Sequence, residues 1–330
     1  MARYLVRRLA YMVPTLILIS IVSFVIIQLP PGDYLSTVVA RLSAQGQSVD
    51  QAQLEALRDR YGLGDPAVVQ YFKWISNIVL HWDFGQSFEW NRPVAELLAR
   101  RLPVTIALSV ITLFVTWIIA FPVGVYSAVR QYSAGDYVVT TLAFLGLATP
   151  NFLIALVLLY LGQQAFGVTL TGLFSPEFAD SGWNLGKILD LAAHLWVPVV
   201  VLGTAGTAGL IRILRANLLD ELRKPYVVAA RARGVPERTL LLRYPLRVAL
   251  NPFISTIGWV LPALVSSEVI VSQVLSLPTT GPLLLGALRS QDMYLAGAIV
   301  LMVSVLTVIG TLVSDIALAW LDPRVRMGQR

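Results

Sequence analysis

Long apolar runs separated by short charged clusters dominate this chain, and their lengths decide the first reading. A helix crossing a hydrocarbon core of about 30 Å needs about 20 apolar residues, so the informative quantity is the stretch between successive charged residues. Six stretches qualify: 9–32 between Arg8 and Asp33, 102–129 between Arg101 and Arg130, 137–176 between Asp136 and Glu177, 191–211 between Asp190 and Arg212, 248–288 broken only by Glu268, and 293–314 between Asp292 and Asp315. Lipid admits only helices or closed barrels, and these continuous runs lack the alternation of barrel strands. The pattern predicts an all-α integral membrane protein with six transmembrane helices, near 10–29, 103–129, 138–162, 194–214, 253–274 and 295–319. Two stretches have room for a second crossing. Gly167, Thr169, Thr171 and Gly172 in one, and Pro278, Thr279, Thr280, Gly281 and Pro282 in the other, read as turns, which predicts a single span followed by a loop in each.

Composition agrees. The 330 residues are 56% hydrophobic and 13% charged, against about a quarter charged in an ordinary soluble domain, which excludes a water-soluble globule. Without cysteine there is no disulfide framework, thiolate metal site or cysteine nucleophile. The two histidines, His81 and His194, lie too far apart for the usual ligand spacing of a metal centre. A net charge of +6 resembles a nucleic-acid footprint, but its placement points to membrane topology instead, with membrane lipid as the partner and no nucleic acid. With the N-terminus inside, sixteen Lys and Arg fall on inner segments and nine on outer ones, seven of the nine within the long segment 33–102. Long segments translocate largely regardless of charge, so both termini are expected on the cytoplasmic side. Arg3, Arg7 and Arg8 ahead of an apolar run imitate a signal peptide, but the run is long and no small-x-small site precedes Pro30-Pro31, so it reads as the first span.

The outer segment 33–102 carries helical patterning and reads as a small folded cap. Ser48 with Gln51 forms a capping box ahead of Leu54, Leu57 and Tyr61, and Pro66 opens a second helix with Val69, Phe72 and Val79 on one side. Trp74, Trp82 and Trp90 suit a membrane interface, and Asn91 followed by Pro93 begins a third helix that carries Arg100 and Arg101 to the second span. Such a cap either packs as a lid or docks an external partner.

The inner segment 212–247 holds nine positive residues against Asp220, Glu221 and Glu237. Pro225 ends one helix and starts another, in which Ala229, Ala230 and Ala232 accompany Arg231 and Arg233 before Gly234 stops it; Pro236 starts a further helix. A short alanine-lined helix can approach another protein's groove closely while its arginines hold register against acidic or carbonyl-rich edges. A positive loop attracted to anionic lipid would account for the charge but not for the Pro-Ala-Gly punctuation.

Residues 225–234, Pro-Tyr-Val-Val-Ala-Ala-Arg-Ala-Arg-Gly, followed by Leu242-Arg-Tyr-Pro-Leu-Arg-Val-Ala-Leu-Asn-Pro252, resemble the EAA loop of ATP-binding cassette importer permeases, specifically the first permease subunit of dipeptide, oligopeptide and nickel importers. Pro31-Gly-Asp33, Tyr61-Gly-Leu63, Gln70-Tyr71, Arg101-Leu-Pro103, Ala148-Thr-Pro-Asn-Phe152 and Leu321-Asp-Pro-Arg-Val-Arg326 extend the likeness in the family's order along nearly the whole chain. The resemblance implies the type I importer permease fold: 1–32 as cytoplasmic N-terminus and first span, 33–102 as extracytoplasmic helical cap, and 103–330 as permease core with a cytoplasmic coupling loop at 215–250. It further implies that Tyr226, Ala229, Ala230, Arg231, Ala232, Arg233 and Gly234 couple to a cytoplasmic ATPase. The implied partners are a second homologous permease, two ATPase subunits that use ATP and Mg, and an external solute-binding protein, with no cofactor on this chain. The Glu that names the loop is absent, its place near Val228 being apolar. The Glu found late in the family's fifth span is replaced by Ser272, with Glu268 one turn earlier on the same face.

A carboxylate within a span should face the bundle interior or a watery path, which makes Glu268 the leading translocation-path residue or a structural partner for a neighbouring helix. Ser272 and Gln273 share its segment, loosened by Pro262, and Asn151 after Pro150 is a further path candidate. Asp315 reads as a structural anchor and His194, beside Trp196, as an outer interface residue. No phosphate loop is present, since Gly186-Lys187 lacks the flanking glycine and hydroxyl residue, so ATP hydrolysis falls to separate subunits and the chain reads as a transport subunit, not an enzyme. An intramembrane enzyme would need an H-E-x-x-H, G-x-S-x-G or paired-Asp motif, and a self-gated channel a filter or charged ring; none is visible. Solutes consistent with the resemblance are oligopeptides or dipeptides, with oligosaccharides or nickel complexes as alternatives.

Overall fold

A computed structural model describes residues 2–28, 65–87, 89–167, 170–179, 181–255 and 269–321. In order these form α1 (Ala2–Gln28), α2 (Ala67–His81), a two-stranded antiparallel ribbon of β1 (Gln86–Ser87) and β2 (Arg92–Pro93), α3 (Val94–Val129), α4 (Ala134–Ala148), α5 (Asn151–Phe166), α6 (Pro176–Ala179), α7 (Leu185–Leu222), α8 (Pro225–Ala232), α9 (Glu237–Arg243), α10 (Pro245–Ser255), α11 (Thr280–Arg289) and α12 (Met293–Leu321). Among the described residues four helices are long and apolar enough to cross a membrane: Val6–Gln28, Val94–Val129, Leu185–Leu222 and Met293–Ala317.

Three of the expected element boundaries are corrected. The stretch 138–162 is not one continuous helix but two, α4 and α5, which meet at 102°. Pro150 is the cause. A residue preceding proline is driven out of the helical region, and Thr149 accordingly sits at φ −89°, ψ 123°, after which Pro150 caps α5. Secondly, the cap helix expected to start at Asn91-Pro93 and the span expected to start at 103 are one helix, α3, which passes through Pro103; the backbone group freed by proline is tolerated in apolar helices packed among neighbours. Thirdly, α7 extends well beyond 194–214, because its charged ends are satisfied locally. Lys187 donates to the carbonyls of Ala179 and Ser181 at 3.2 and 2.6 Å, and Asp190 accepts the Ser175 amide at 2.8 Å and its hydroxyl at 2.6 Å. Counting between charges found only the apolar middle. The capping box at Ser48 and Gln51 lies outside the described residues, as do 256–268 of the expected fifth span.

The chain divides into two compact units, Met1–Arg8 with Val104–Pro282 and Leu306–Arg330, and Leu9–Pro103 with Leu283–Val305. In the second, Phe24 of α1, Trp74 and Ile78 of α2, Val94 and Leu98 of α3, and Leu295 and Ile299 of α12 form one core. Pro66 opens α2 as expected, but Trp74, read as an interface residue, is buried; Trp82 and Trp90 remain exposed. Phe24 meets Tyr71 edge-on at 5.6 Å, and the Tyr71 hydroxyl lies 2.7 Å from that of Ser20. Asp292, 1% exposed, accepts the Ser87 hydroxyl at 2.5 Å and the amides of Glu89 and Leu295 at 3.3 Å each, tying the ribbon to the start of α12.

The first unit has two apolar clusters. One joins Leu108 of α3, Ala155 of α5, Val197 and Val201 of α7, and Val271 and Leu275. The other joins Ala120 and Ala128 of α3, Leu210, Leu214 and Leu218 of α7, and Leu246 and Ala249 of α10. Lipid supplies little hydrophobic drive between helices, so such interfaces depend on close packing and buried polar contacts. Thr105 of α3 supplies one: its hydroxyl accepts the Thr280 amide at 2.9 Å and lies 3.1 Å from the Thr280 hydroxyl, both residues being buried. At the adjoining Gly281 the chains come closer still, since a Cβ there would fall 2.7 Å from the Val269 backbone.

Candidate functional site

The loop between α7 and α10 is built by local backbone chemistry. Lys224 is extended, and Pro225, with its φ already helical, occupies the first turn of α8. Gly234, at φ +77°, closes it, with the Gly234 amide donating to the Arg231 carbonyl at 3.0 Å and the Val235 amide to that of Ala230 at 3.3 Å. Pro236 then caps α9. Helix, stop and second helix stand where the punctuation put them.

Side chains fix how α8 is held. Val227 and Leu240 are fully buried, whereas Tyr226, Val228, Ala229, Ala232, Arg233 and Gly234 are exposed and Ala230 is half-buried. The helix thus shows solvent a face of small side chains flanked by Arg231 and Arg233. Arg231 donates from Nε to Glu237 at 2.5 Å and from a terminal nitrogen at 3.3 Å, which clasps α8 to α9. That guanidinium holds the Glu237 carboxyl below the usual carboxylate range, and the carboxylate in turn raises Arg231. The Tyr226 hydroxyl donates to Glu221 at the end of α7. Partial burial, reinforced by that hydrogen bond and the Glu221 charge, pushes the Tyr226 phenol up to about 12.

The loop is rooted firmly. Leu214 and Leu218 of α7 are fully buried against α3 and α10. Between them Arg215 reaches Asp136 near the start of α4, at 3.0 Å from Nε and 2.8 Å from a terminal nitrogen. Sequence reasoning passed over this pair, using Asp136 only as the edge of an apolar run. A local signal existed, because Ser133 caps α4 by accepting the Asp136 amide at 3.2 Å, the serine-x-x-acid spacing of a helix start.

Of the path candidates, Glu268 lies outside the described residues. Ser272 is fully buried and Gln273 exposed at the end of a helical segment over 269–274, where the Leu277 amide donates to the Ser272 carbonyl at 2.8 Å and Ser276 turns the chain at φ +54°. Asn151 stands on a different element, half-buried as the first residue of α5. Asp315 pairs with Arg8 at 3.0 Å, as an anchor should. His194, expected at an outer interface, is buried instead: its Nδ1 lies 2.9 Å from the Asp190 carbonyl, one turn back on α7. Trp196 beside it is 45% exposed.

A cleft of about 350 Å³ runs between α3, α4 and α7, bounded by Val115, Ile119, Val139, Leu142, Val200 and Ile211. Its lining is apolar throughout, with only threonine hydroxyls as polar groups.

Known proteins share this organisation. The family of binding-protein-dependent transport system inner membrane components matches residues 120–327, and the N-terminal family of the same transport-system membrane components matches residues 1–109. The chain is 37% identical over 326 residues to the oligopeptide transport system permease protein AppB of Bacillus subtilis, covering 98% of this chain and 99% of that one. It is 32% identical to a putative peptide permease protein of Brucella ovis, over 99% and 100% of the two chains, and 29% identical to the nickel import system permease protein NikB of Staphylococcus aureus, over 97% and 90%. The inward-facing structure of the MetNI methionine ABC transporter superposes with a TM-score of 0.54 at 16% identity, covering 68% of this chain and 96% of that one, and so shares the fold. Full-length matches of this kind, on a multi-helix apolar chain, settle its class: it belongs to the binding-protein-dependent transport system inner membrane components, the permease subunits of ATP-binding cassette importers.

Proposed function

We propose that this chain forms one half of a translocation path for oligopeptides or dipeptides in the cytoplasmic membrane of a prokaryote. In this reading it has six spans and cytoplasmic termini, and pairs with a second homologous permease. Two ATPase subunits that use ATP and Mg drive the pair, and an extracytoplasmic binding protein delivers the solute to the side carrying the 33–102 cap. The observation that carries the reading is α8, a short helix with a buried Val227 root, an exposed alanine face and flanking arginines, closed by Gly234. Such a helix is a lever. ATP-driven closure of the ATPases presses on it, α7 carries the displacement into the bundle, and access alternates between the two sides. Transport is directional because the two states differ in affinity for the solute. Peptide cargo is favoured by the oligopeptide permease at 37% identity, against 29% for the nickel permease.

The test is uptake by proteoliposomes containing both permeases, the ATPases and the binding protein. Peptide accumulation that requires ATP and the binding protein supports the reading, whereas nickel accumulation in its place moves the cargo to a metal complex. Uptake that persists without the ATPases refutes the importer and indicates a self-gated channel.

A further inference from the structure

We propose that Ser127, Asp136 and Arg215 form a positioning lock that makes the α3–α4 corner and the α8-bearing end of α7 move as one body. The inference rests on the importer reading and concerns how α8 is connected, not what it touches. Asp136 has 3% of its side chain exposed and Arg215 26%. The carboxylate accepts two hydrogen bonds from the Arg215 guanidinium, one from the Ser127 hydroxyl and one from the Tyr132 amide at 2.9 Å. Arg215 Nε also donates to the Ser127 hydroxyl at 3.0 Å. Three elements therefore converge on one buried charge: the end of α3 through Ser127, the start of α4 through Asp136 and α7 through Arg215.

Placement gives the cluster its role. Arg215 lies ten residues before Pro225, about 15 Å along α7 from the start of α8. Leu214 and Leu218 on either side are fully buried, so this part of α7 cannot slide past α3 without breaking both the packing and the ion pair. A planar fork engaging a carboxylate through two nitrogens fixes orientation as well as distance, which a lysine could not do. Apolar packing alone would hold α7 close yet let it rotate; the fork removes that freedom. Displacement of α8 is thus delivered to α3 and α4 instead of being lost at the α7–α3 contact.

The test compares Asp136→Asn, Arg215→Lys and the double variant Asp136→Ala/Arg215→Ala in the complete reconstituted complex. Solute accumulated per ATP hydrolysed is measured alongside subunit recovery and melting temperature. Each single variant is expected to assemble and hydrolyse ATP while accumulation per ATP falls about tenfold, a shift ordinary for coupling between sites. The double variant leaves no lone buried charge, so its melting temperature should return toward wild type while accumulation per ATP stays low. A merely structural pair would recover both together, and that result overturns the lock, as does any single variant that assembles with an unchanged ratio. Ser127→Ala keeps both charges and covers a failure of the charge variants to assemble: its ratio should fall with recovery unchanged, and an unaltered ratio also overturns the lock. Absence of ATP-dependent uptake by the wild-type complex is a different failure, which refutes the importer reading itself.

Discussion

Gly234→Arg separates the outward-facing role of α8 from the folding of its own loop. Gly234 adopts φ +77°, a left-handed conformation that costs an L-residue about 1–2 kcal/mol. A Cβ built there meets no atom within 4 Å, so steric exclusion inside the chain adds nothing to that strain. Against it stands the burial of Val227 and Leu240, both fully enclosed and each worth about 1.5–3 kcal/mol. The loop therefore keeps its fold, and melting of the solubilised chain alone should shift by no more than about 3 °C. Binding to the ATPases should respond far more, because a long cationic side chain now projects beside the face that the proposed coupling sets in their groove. A tenfold loss of ATPase recovered with a tagged chain corresponds to about 1.4 kcal/mol, and at least that much is expected. Gly234→Asn is the control, since asparagine tolerates the left-handed region without the bulk. ATPase recovered at the wild-type level with the arginine variant would refute the reasoning. A loss as large with asparagine would trace the effect to backbone strain instead.

Three further outcomes follow from particular residues. The Tyr226 phenol, ordinarily near 10, should titrate at about 12, read as the absorbance difference between wild type and Tyr226→Phe. Because its pKa is raised on folding, the stabilisation it contributes is present below pH 10 and lost as the pH climbs toward 12; Glu221→Gln should lower the value only in part, burial being the larger cause. Glu268→Leu should impair uptake with assembly intact, and unaffected uptake would remove Glu268 from the path. Asp292→Asn weakens charge-assisted bonds to Ser87, Glu89 and Leu295 and should destabilise the chain by about 1–3 kcal/mol in thermal melts, while accumulation per ATP stays at the wild-type value.

What the sequence disclosed, and what it withheld, follows from the range of the forces involved. Pro225 and Gly234 act on their own backbone dihedrals, so α8 and its stop were legible residue by residue. Apolar runs between charges located α1, α3, α7 and α12 because hydrocarbon thickness sets a minimum length whatever the packing. The same count failed at helix ends: Lys187 and Asp190 are charged yet lie within α7, since carbonyls and hydroxyls brought in by the fold satisfy them. The bend between α4 and α5 was written locally in Thr149-Pro150, but a length criterion has no means of reading it. The Asp136–Arg215 pair joins residues 79 apart in sequence, a separation that no periodicity reports.

Among the described residues, the buried Asp136 and Asp292 and the half-buried Asp190 share one construction. Asp136 takes the hydroxyl of Ser127 and the amide of Tyr132, Asp190 takes both groups of Ser175, and Asp292 takes the hydroxyl of Ser87 and the amide of Glu89. Asp136 stands in the first turn of α4 and Asp292 caps the start of α12, where free amides and a positive helix end favour a carboxylate, while Asp190 lies one turn further into α7. At the Asp292 corner a serine hydroxyl and the amides of Glu89 and Leu295 converge on the carboxylate. At Asp136 an arginine from a third helix is added to the serine hydroxyl and the loop amide. That arginine, partly exposed, joins the capped corner to α7, the helix that leads into α8. Comparing Asp292→Asn with Asp136→Asn isolates that difference, because both variants weaken a capped corner and only the second cuts the connection to α7.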